Sequence, residues 1–179
     1  MAKKKKIRIV LTGAQGTGKT TLMKELAKDG LVEISNIRKT ASENGLDTKT
    51  VTKEGQKIYF KSLKKELSSK KSYVSDRGLS CVAAFTFSKA VVGEIPKNIA
   101  DKQYMDFVKF HEQNPDILLV YVPVEFELED DGERPIDKEL QGTIDFMISN
   151  ILKTSGIPYI EVKGTVEERL EQIKSAINQ

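Results

Sequence analysis

The sequence predicts an α/β fold in which a parallel sheet is covered on both faces by helices. Three observations predict it. Five short apolar runs are spaced along the 179 residues: Ile7–Leu11, Leu31–Ile34, Tyr73–Ser75, Ile117–Val122 and Tyr159–Val162. Stretches of helical periodicity separate most of them. The first run also breaks into glycines and then passes directly into a helix, as a βα unit does.

Each element has its own justification. Ile7, Ile9, Val10 and Leu11 form a largely β-branched run of the kind a buried parallel strand requires. The following TTLMKELAKDG places Leu22, Met23, Leu26 and Ala27 at helical spacing, with Gly30 just past the end. Lys49 to Lys70 carries Val51, Ile58, Tyr59, Leu63 and Leu67 among many lysines. That pattern reads as a long amphipathic helix whose first part is weakened by Gly55. Leu79 to Val92 is a more apolar helix. Asp101 to Glu112 is another, with Tyr104, Phe107, Val108 and His111 on one side. Lys138–Leu152 and Thr165–Ile177 complete the set, and Thr165 with Glu168 has the spacing of a capping box. The chain has no internal repeat, Pro-rich linker or low-complexity block, so residues 1–179 are expected to form one domain.

Crossovers in such a sheet are right-handed, and ligands bind beyond the carboxyl ends of the strands. The residues after each apolar run are therefore the candidates for chemistry. After the first run the chain reads Gly13-Ala14-Gln15-Gly16-Thr17-Gly18-Lys19-Thr20, a complete G-x-x-x-x-G-K-[ST] motif. Its glycines let backbone N–H groups face one point, and a helix N-terminus adds partial positive charge there. The expected ligand is the polyphosphate of a nucleotide. Gly13, Gln15, Gly16, Thr17, Gly18, Lys19, Thr20 and Thr21 would bind it, with Lys19 at the β- and γ-phosphates and the Thr20 hydroxyl on Mg²⁺. The alternative is a tight strand-to-helix turn with a chance Lys-Thr. The motif does not say what happens to the nucleotide.

Asp76 and Arg77 follow the third run. A carboxylate there can hold Mg²⁺ or accept a proton from an attacking hydroxyl, and an arginine can grip a phosphate. The alternative is an Asp that caps the next helix beside a surface arginine. Gly78 is expected to give a tight turn. After the fourth run, residues 125–137 are acidic and turn-rich. Arg134 is the sole Lys or Arg between Val122 and Lys138. A lid that brings one arginine to the transferred group would look like this, the alternative being a cation that only neutralises the acids around it. Glu129, Asp130 and Asp131 lack the spacing of an EF-hand loop. After the second run, Arg38 is placed either to reach an acceptor substrate or on a surface helix. After the fifth, Val162, Lys163, Gly164 and Thr165 are candidates for the adenine side. The sole histidine, His111, reads as a surface or packing residue, and Cys81 as a small buried one. Phe85 and Phe87 read as core, or as a stacking surface for a base.

Composition bounds the rest. The chain is 39% hydrophobic and 31% charged, enough for a packed core. No apolar run approaches the ~20 residues needed to span a membrane. MAKKKK lacks the apolar segment of a signal peptide, and one cysteine cannot form an internal disulfide, so a cytoplasmic location is expected. A net charge of +3 does not by itself call for nucleic acid. Lys3 to Lys6 read as a solvated lead-in, with polyanion contact as the alternative.

With GAQGTGKT near the start, SDRGLSCVAAF in the middle and PDILLVYVPVEFELEDDGERPIDKEL then PYIEVKG later, the chain resembles the P-loop nucleoside and nucleotide kinases. Within them it is most similar to the ribosylnicotinamide-kinase-like ATPase domains of bacterial NAD-metabolism regulators and phage proteins. The resemblance implies a P-loop NTPase three-layer sandwich with five parallel strands in the order 2-3-1-4-5. It implies ATP held by Gly13 to Thr20, a catalytic or metal-associated Asp76 beside Arg77, Arg134 as the lid arginine, and Arg38 on the substrate side. Many relatives carry a glutamate where this chain has Ser35, which bears on the acceptor. Nothing resembles the adenylyltransferase domain of the bifunctional regulators.

The expected function is transfer of the γ-phosphoryl group of ATP, with Mg²⁺, to a small nucleoside or nucleotide. Lys19, Asp76, Arg77 and Arg134 would be catalytic, and Arg38 and Arg77 would bind the acceptor. The alternatives are a nucleotide-dependent switch without an acceptor, and a kinase of polynucleotide ends or modified DNA served by the lysine-rich segments. The absence of an Asn-Lys-x-Asp loop argues against a GTPase. The apolar stretch 79–92 is the candidate surface for a homodimer, the alternative being a helix that only packs on the sheet.

Overall fold

The computed structural model describes residues 6–34, 37–125 and 137–178. In chain order these form β1 (Arg8–Thr12), α1 (Lys19–Ala27), β2 (Val32–Ile34), α2 (Ile37–Asn44), α3 (Lys53–Leu67), β3 (Tyr73–Ser75), α4 (Leu79–Val91), α5 (Lys97–Glu112), β4 (Ile117–Tyr121), α6 (Lys138–Ser155), β5 (Ile160–Glu161) and α7 (Val166–Ile177). The five strands make one parallel sheet in the order β2-β3-β1-β4-β5. Arg8 of β1 is level with Tyr73 and Ile117, and Thr12 is level with Tyr121.

Alternation along the strands builds a core on each face. Ile9, Leu11, Val74 and Val120 join α1 and α7 through Leu22, Leu26 and Ile173. Val10, Tyr73, Leu119 and Tyr121 join the other helices through Leu63, Phe107 and Ile148. β1 is buried along its whole length, its apolar centre Ile9–Leu11 flanked by Arg8 and Thr12, whose side chains are bonded. β2 is an edge strand with two of its three residues exposed, which is why its sequence marks it weakly.

Two helix starts differ from the sequence reading. The helix expected from Lys49 starts at Lys53, because the Thr52 side chain caps it by accepting the Gly55 N–H at 3.0 Å. A Cβ on Gly55 would stand 2.9 Å from that Thr52 oxygen, so the glycine leaves room for the cap. Val51 lies outside the helix. α5 begins at Lys97 behind Pro96 and not at Asp101, and Lys97 pairs with Asp101 across its first turn. At α7, Thr165 and Glu168 make both bonds of the capping box. His111 packs against the rings of Phe107 and Phe110 and is buried, which pushes its pKa down to about 4. Cys81 is buried, and Phe85 and Phe87 pack on the core. No helix of the described residues is long and apolar enough to cross a membrane.

Candidate active site

The strand order places β1 between β3 and β4, so three carboxyl ends open together. The loop leaving β1 fills that opening. Thr12 fixes its base: the Thr12 hydroxyl meets Ser80 Oγ at 2.7 Å and Cys81 Sγ at 3.1 Å, both on α4. Gly13 is required by close approach, since a Cβ there would collide with the Val122 carbonyl oxygen. Gly16 and Gly18 have φ of 73° and 86°, the left-handed region that glycine enters without steric cost. Gly18 then caps α1, whose first residue is Lys19.

Lys19 is 8% exposed, and its ammonium donates to the Ala14 carbonyl and, at 3.0 Å, to Thr17 Oγ1. Both partners are neutral. Burial lowers its pKa to about 8, and the nearby Arg77 charge pushes the same way. Nearby Cys81, Asp76 and Asp145 oppose the shift without offsetting it. A buried cation with no bonded anion fits a polyphosphate, which would bring the missing charge.

Thr20 and Asp76, distant in sequence, meet here: Thr20 Oγ1 donates to Asp76 Oδ2 at 3.1 Å. Asp76 is not a helix cap. α4 is capped by Gly78, with no side-chain bond. Gly78 has an extended φ of −101°, so its role is close approach, with a Cβ meeting Ser80, Val10 and Thr12 at 3.1–3.4 Å. The described residues hold no group of three or more acidic, His or Cys side chains able to bind a metal. A hydroxyl and a carboxylate suit Mg²⁺, which takes few protein oxygens and completes its shell with phosphates and water. Arg77 is half-buried, and its charge pushes down the pKa of Lys19 and opposes the rise that burial causes at the Tyr59 hydroxyl of α3.

The remaining sequence candidates divide. Gln15 is half-buried in the loop, and Thr21 is exposed on α1. Arg38 is exposed on α2. Arg134, the acidic run Glu129–Asp131, Ser35 and the lid interior lie outside the described residues. Lys163 and Gly164 line an open cavity of about 860 Å³ with Glu125 and Glu168. Val162 does not; it is fully buried in the core beneath α1 and α7.

Three residues around the loop escaped the sequence reading. Arg169 of α7 is 3% exposed, donating to the Thr17 carbonyl at 2.8 Å and pairing with Glu125 at 2.6 Å. Gln141 of α6 donates to the Gln15 carbonyl at 2.8 Å. Burial raises the pKa of Asp145 of α6, against the opposing pull of the nearby Tyr121 hydroxyl and Val124 N–H. A signal existed for the first two. Arg169 falls on the apolar stripe Val166, Leu170, Ile173, Ile177, and Gln141 on the stripe Ile144, Ile148, Ile151. A polar side chain on a buried stripe needs a partner.

The sheet order and the glycine loop define the P-loop NTPase class of α/β fold. Within it, the chain belongs to the family whose model is described as an AAA domain (AAA_28), which matches residues 8–169. No curated protein matches the chain significantly. Among solved structures it is similar to deoxyadenosine kinase from M. mycoides with products dCMP and dCDP bound, at 16% identity, TM-score 0.67, and coverage of 96% of this chain and 98% of that one. It is similar to the NadR protein in complex with NR, at 14% identity and TM-score 0.74, covering 97% of this chain but 52% of that one. It is also similar to shikimate kinase from Acinetobacter baumannii in complex with shikimate, at 18% identity, TM-score 0.58, and coverage of 97% and 93%. At these identities the likeness is one of fold.

Proposed function

We propose that this protein is a phosphotransferase that moves the γ-phosphoryl group of ATP to a small nucleoside or nucleotide. The observation that carries the reading is Lys19: a buried ammonium bonded only to neutral oxygens, beside a Thr20–Asp76 pair. The kinase neighbours support the reaction class, and deoxyadenosine kinase and the NR-binding NadR protein support a nucleoside-like acceptor. The resemblance to ribosylnicotinamide-kinase-like domains points the same way.

In this reading the loop N–H groups and Lys19 hold the β- and γ-phosphates. Thr20 and Asp76 would hold Mg²⁺, which supplies neutralising charge to the phosphates when bound. Asp76 would alternatively orient or deprotonate an acceptor hydroxyl. Arg77 is assigned to stabilise charge on the transferred group and to grip the acceptor. Arg38 and Arg134 are assigned the acceptor-side and lid roles from sequence alone.

The test is ADP release from Mg-ATP against nucleosides, nucleoside monophosphates, ribosylnicotinamide and shikimate, for wild type and Arg77→Ala. One nucleoside or nucleotide should stimulate release, and the variant should lose about a hundredfold of it, as when one charge-stabilising donor is removed. Slow release that no acceptor stimulates would overturn the reading in favour of a nucleotide switch. Stimulation by DNA ends, with strong salt dependence, would overturn it in favour of a polynucleotide kinase.

A further inference from the structure

We propose that Arg169 and Gln141 are positioning residues that set the peptide orientations of the phosphate loop from outside the motif. The inference rests on reading Gly13–Thr20 as a polyphosphate site. A peptide unit is planar and trans, so fixing the direction of a carbonyl fixes the N–H of the next residue in the opposite direction. Arg169 Nη1 holds the Thr17 carbonyl at 2.8 Å and so turns the Gly18 N–H away from α7. Gln141 Nε2 holds the Gln15 carbonyl at 2.8 Å and so turns the Gly16 N–H away from α6. Alternate peptides of the loop are thus gripped by their oxygens, which leaves their own N–H groups, those of Gly16 and Gly18, directed off the clamping helices.

The two clamped peptides are the ones that need clamping. Each precedes a glycine in the left-handed region, Gly16 at 73° and Gly18 at 86°. Glycine tolerates most backbone conformations, so a peptide next to it flips at little cost unless its oxygen is held. The motif supplies the freedom to form the loop, and two distant helices remove the excess of it.

The choice of side chains fits. Arg169 must bond a carbonyl and an anion at once, and its planar fork does so: Nη1 to Thr17 and Nη2 to Glu125 at 2.6 Å. The Glu125 oxygen also accepts the Gly164 N–H at 3.0 Å. One buried guanidinium therefore joins the loop, the exit of β4 and the start of the β5–α7 turn. Gln141, 4% exposed, has only a carbonyl to hold, and a neutral amide suffices.

The experiment titrates Mg-ATP and inorganic tripolyphosphate into wild type, R169K, R169M and Q141L by calorimetry, with thermal unfolding of each. R169M is expected to weaken both ligands by the same factor, about tenfold or more, the worth of a charge-assisted hydrogen bond. R169K should recover part of that loss by restoring the bond to Thr17, and Q141L should lose less than R169M. Full polyphosphate affinity in folded R169M sinks the proposal. So does an affinity unchanged in Q141L and R169K when only their melting temperatures fall, and these two decide if R169M does not fold. Wild type that binds neither ligand would instead refute the phosphate-loop reading, and the inference with it.

Discussion

Two buried cations stand at opposite ends of β1, one at its amino end and one in the loop-to-helix junction beyond its carboxyl end. Arg8, the first residue of β1, and Lys19, the first residue of α1, are 4% and 8% exposed. Arg8 donates Nε to Asp116 Oδ2 at 2.9 Å, Nη2 to the other oxygen of the same carboxylate, and Nη1 to Asn114 at 3.2 Å. Lys19 donates to a carbonyl and a hydroxyl. Burying either charge costs free energy, and in Arg8 the chain itself offsets the cost with a two-point ion pair. For Lys19 the described residues offer no bonded anion. Burial alone does not separate a structural cation from a ligand-binding one; the difference is whether the fold supplies the counter-charge.

The most severe way to break the comparison is Lys19→Met. It removes the charge and keeps the length and apolar stem. Turnover of Mg-ATP should fall by a hundredfold or more, roughly the scale of losing a preorganised charge at a phosphoryl group. The melting temperature of the ligand-free variant should equal or exceed that of wild type, because a desolvated cation without an anion destabilises the fold. Turnover assays and thermal unfolding check both halves. A folded variant with wild-type turnover removes Lys19 from the phosphate site. A large drop in melting temperature would make Lys19 a second Arg8.

A gentler probe is pH. Burial holds Lys19 at about 8 in the ligand-free protein, below the ordinary 10.5. Between those values the unfolded chain binds the proton more readily, so this residue makes the ligand-free fold more stable as pH rises through the window. Ligand binding should run the other way. A bound polyphosphate favours the ammonium, so above about pH 8 binding takes up a proton, and affinity for Mg-ATP should fall by up to about tenfold per pH unit. Calorimetry in buffers of different protonation enthalpy reads that uptake directly. Lys19→Met should abolish it, while Arg8→Met should leave it intact. An uptake that persists without Lys19 belongs to another group.

How legible the two cations were follows from where their partners lie. The phosphate loop was readable because its residues are contiguous and each has a local reason: β-branched strand, glycines at the bends, Lys-Thr at the helix start. Asp76 was readable as a strand-end carboxylate, but its contact with Thr20 joins residues 56 apart and exists only once β1 and β3 pair. The sheet order followed from the family resemblance and not from the strand patterns. Arg169 and Gln141 reach the loop across 152 and 126 residues, and no spacing rule encodes such a contact. The two misplaced helix starts have a local cause. Thr52 and Pro96 set them, and the apolar periodicity that extended one helix too far and began the other too late says nothing about caps.

The smallest expected effect sharpens the structural side of the comparison. Arg8→Met leaves Asp116 without its partner, but Asp116 is 51% exposed and can take up water in exchange. The loss is therefore about 1–2 kcal/mol, below the cost of breaking a fully buried pair. ATP affinity and turnover should not change, since Arg8 lies at the amino end of β1 and the phosphate loop at its carboxyl end. Acid adds a finer test. The bond from Arg8 holds the Asp116 carboxyl below the usual carboxylate range. Its stabilising effect is complete above about pH 3.8, the ordinary value, and is lost as pH falls through the lower folded one. Urea unfolding of wild type should show that loss in acid, and Arg8→Met should lack it, so the two curves converge as pH drops. Curves that stay parallel would mean that Arg8 stabilises the fold by packing its stem against the sheet, with the ion pair contributing nothing measurable.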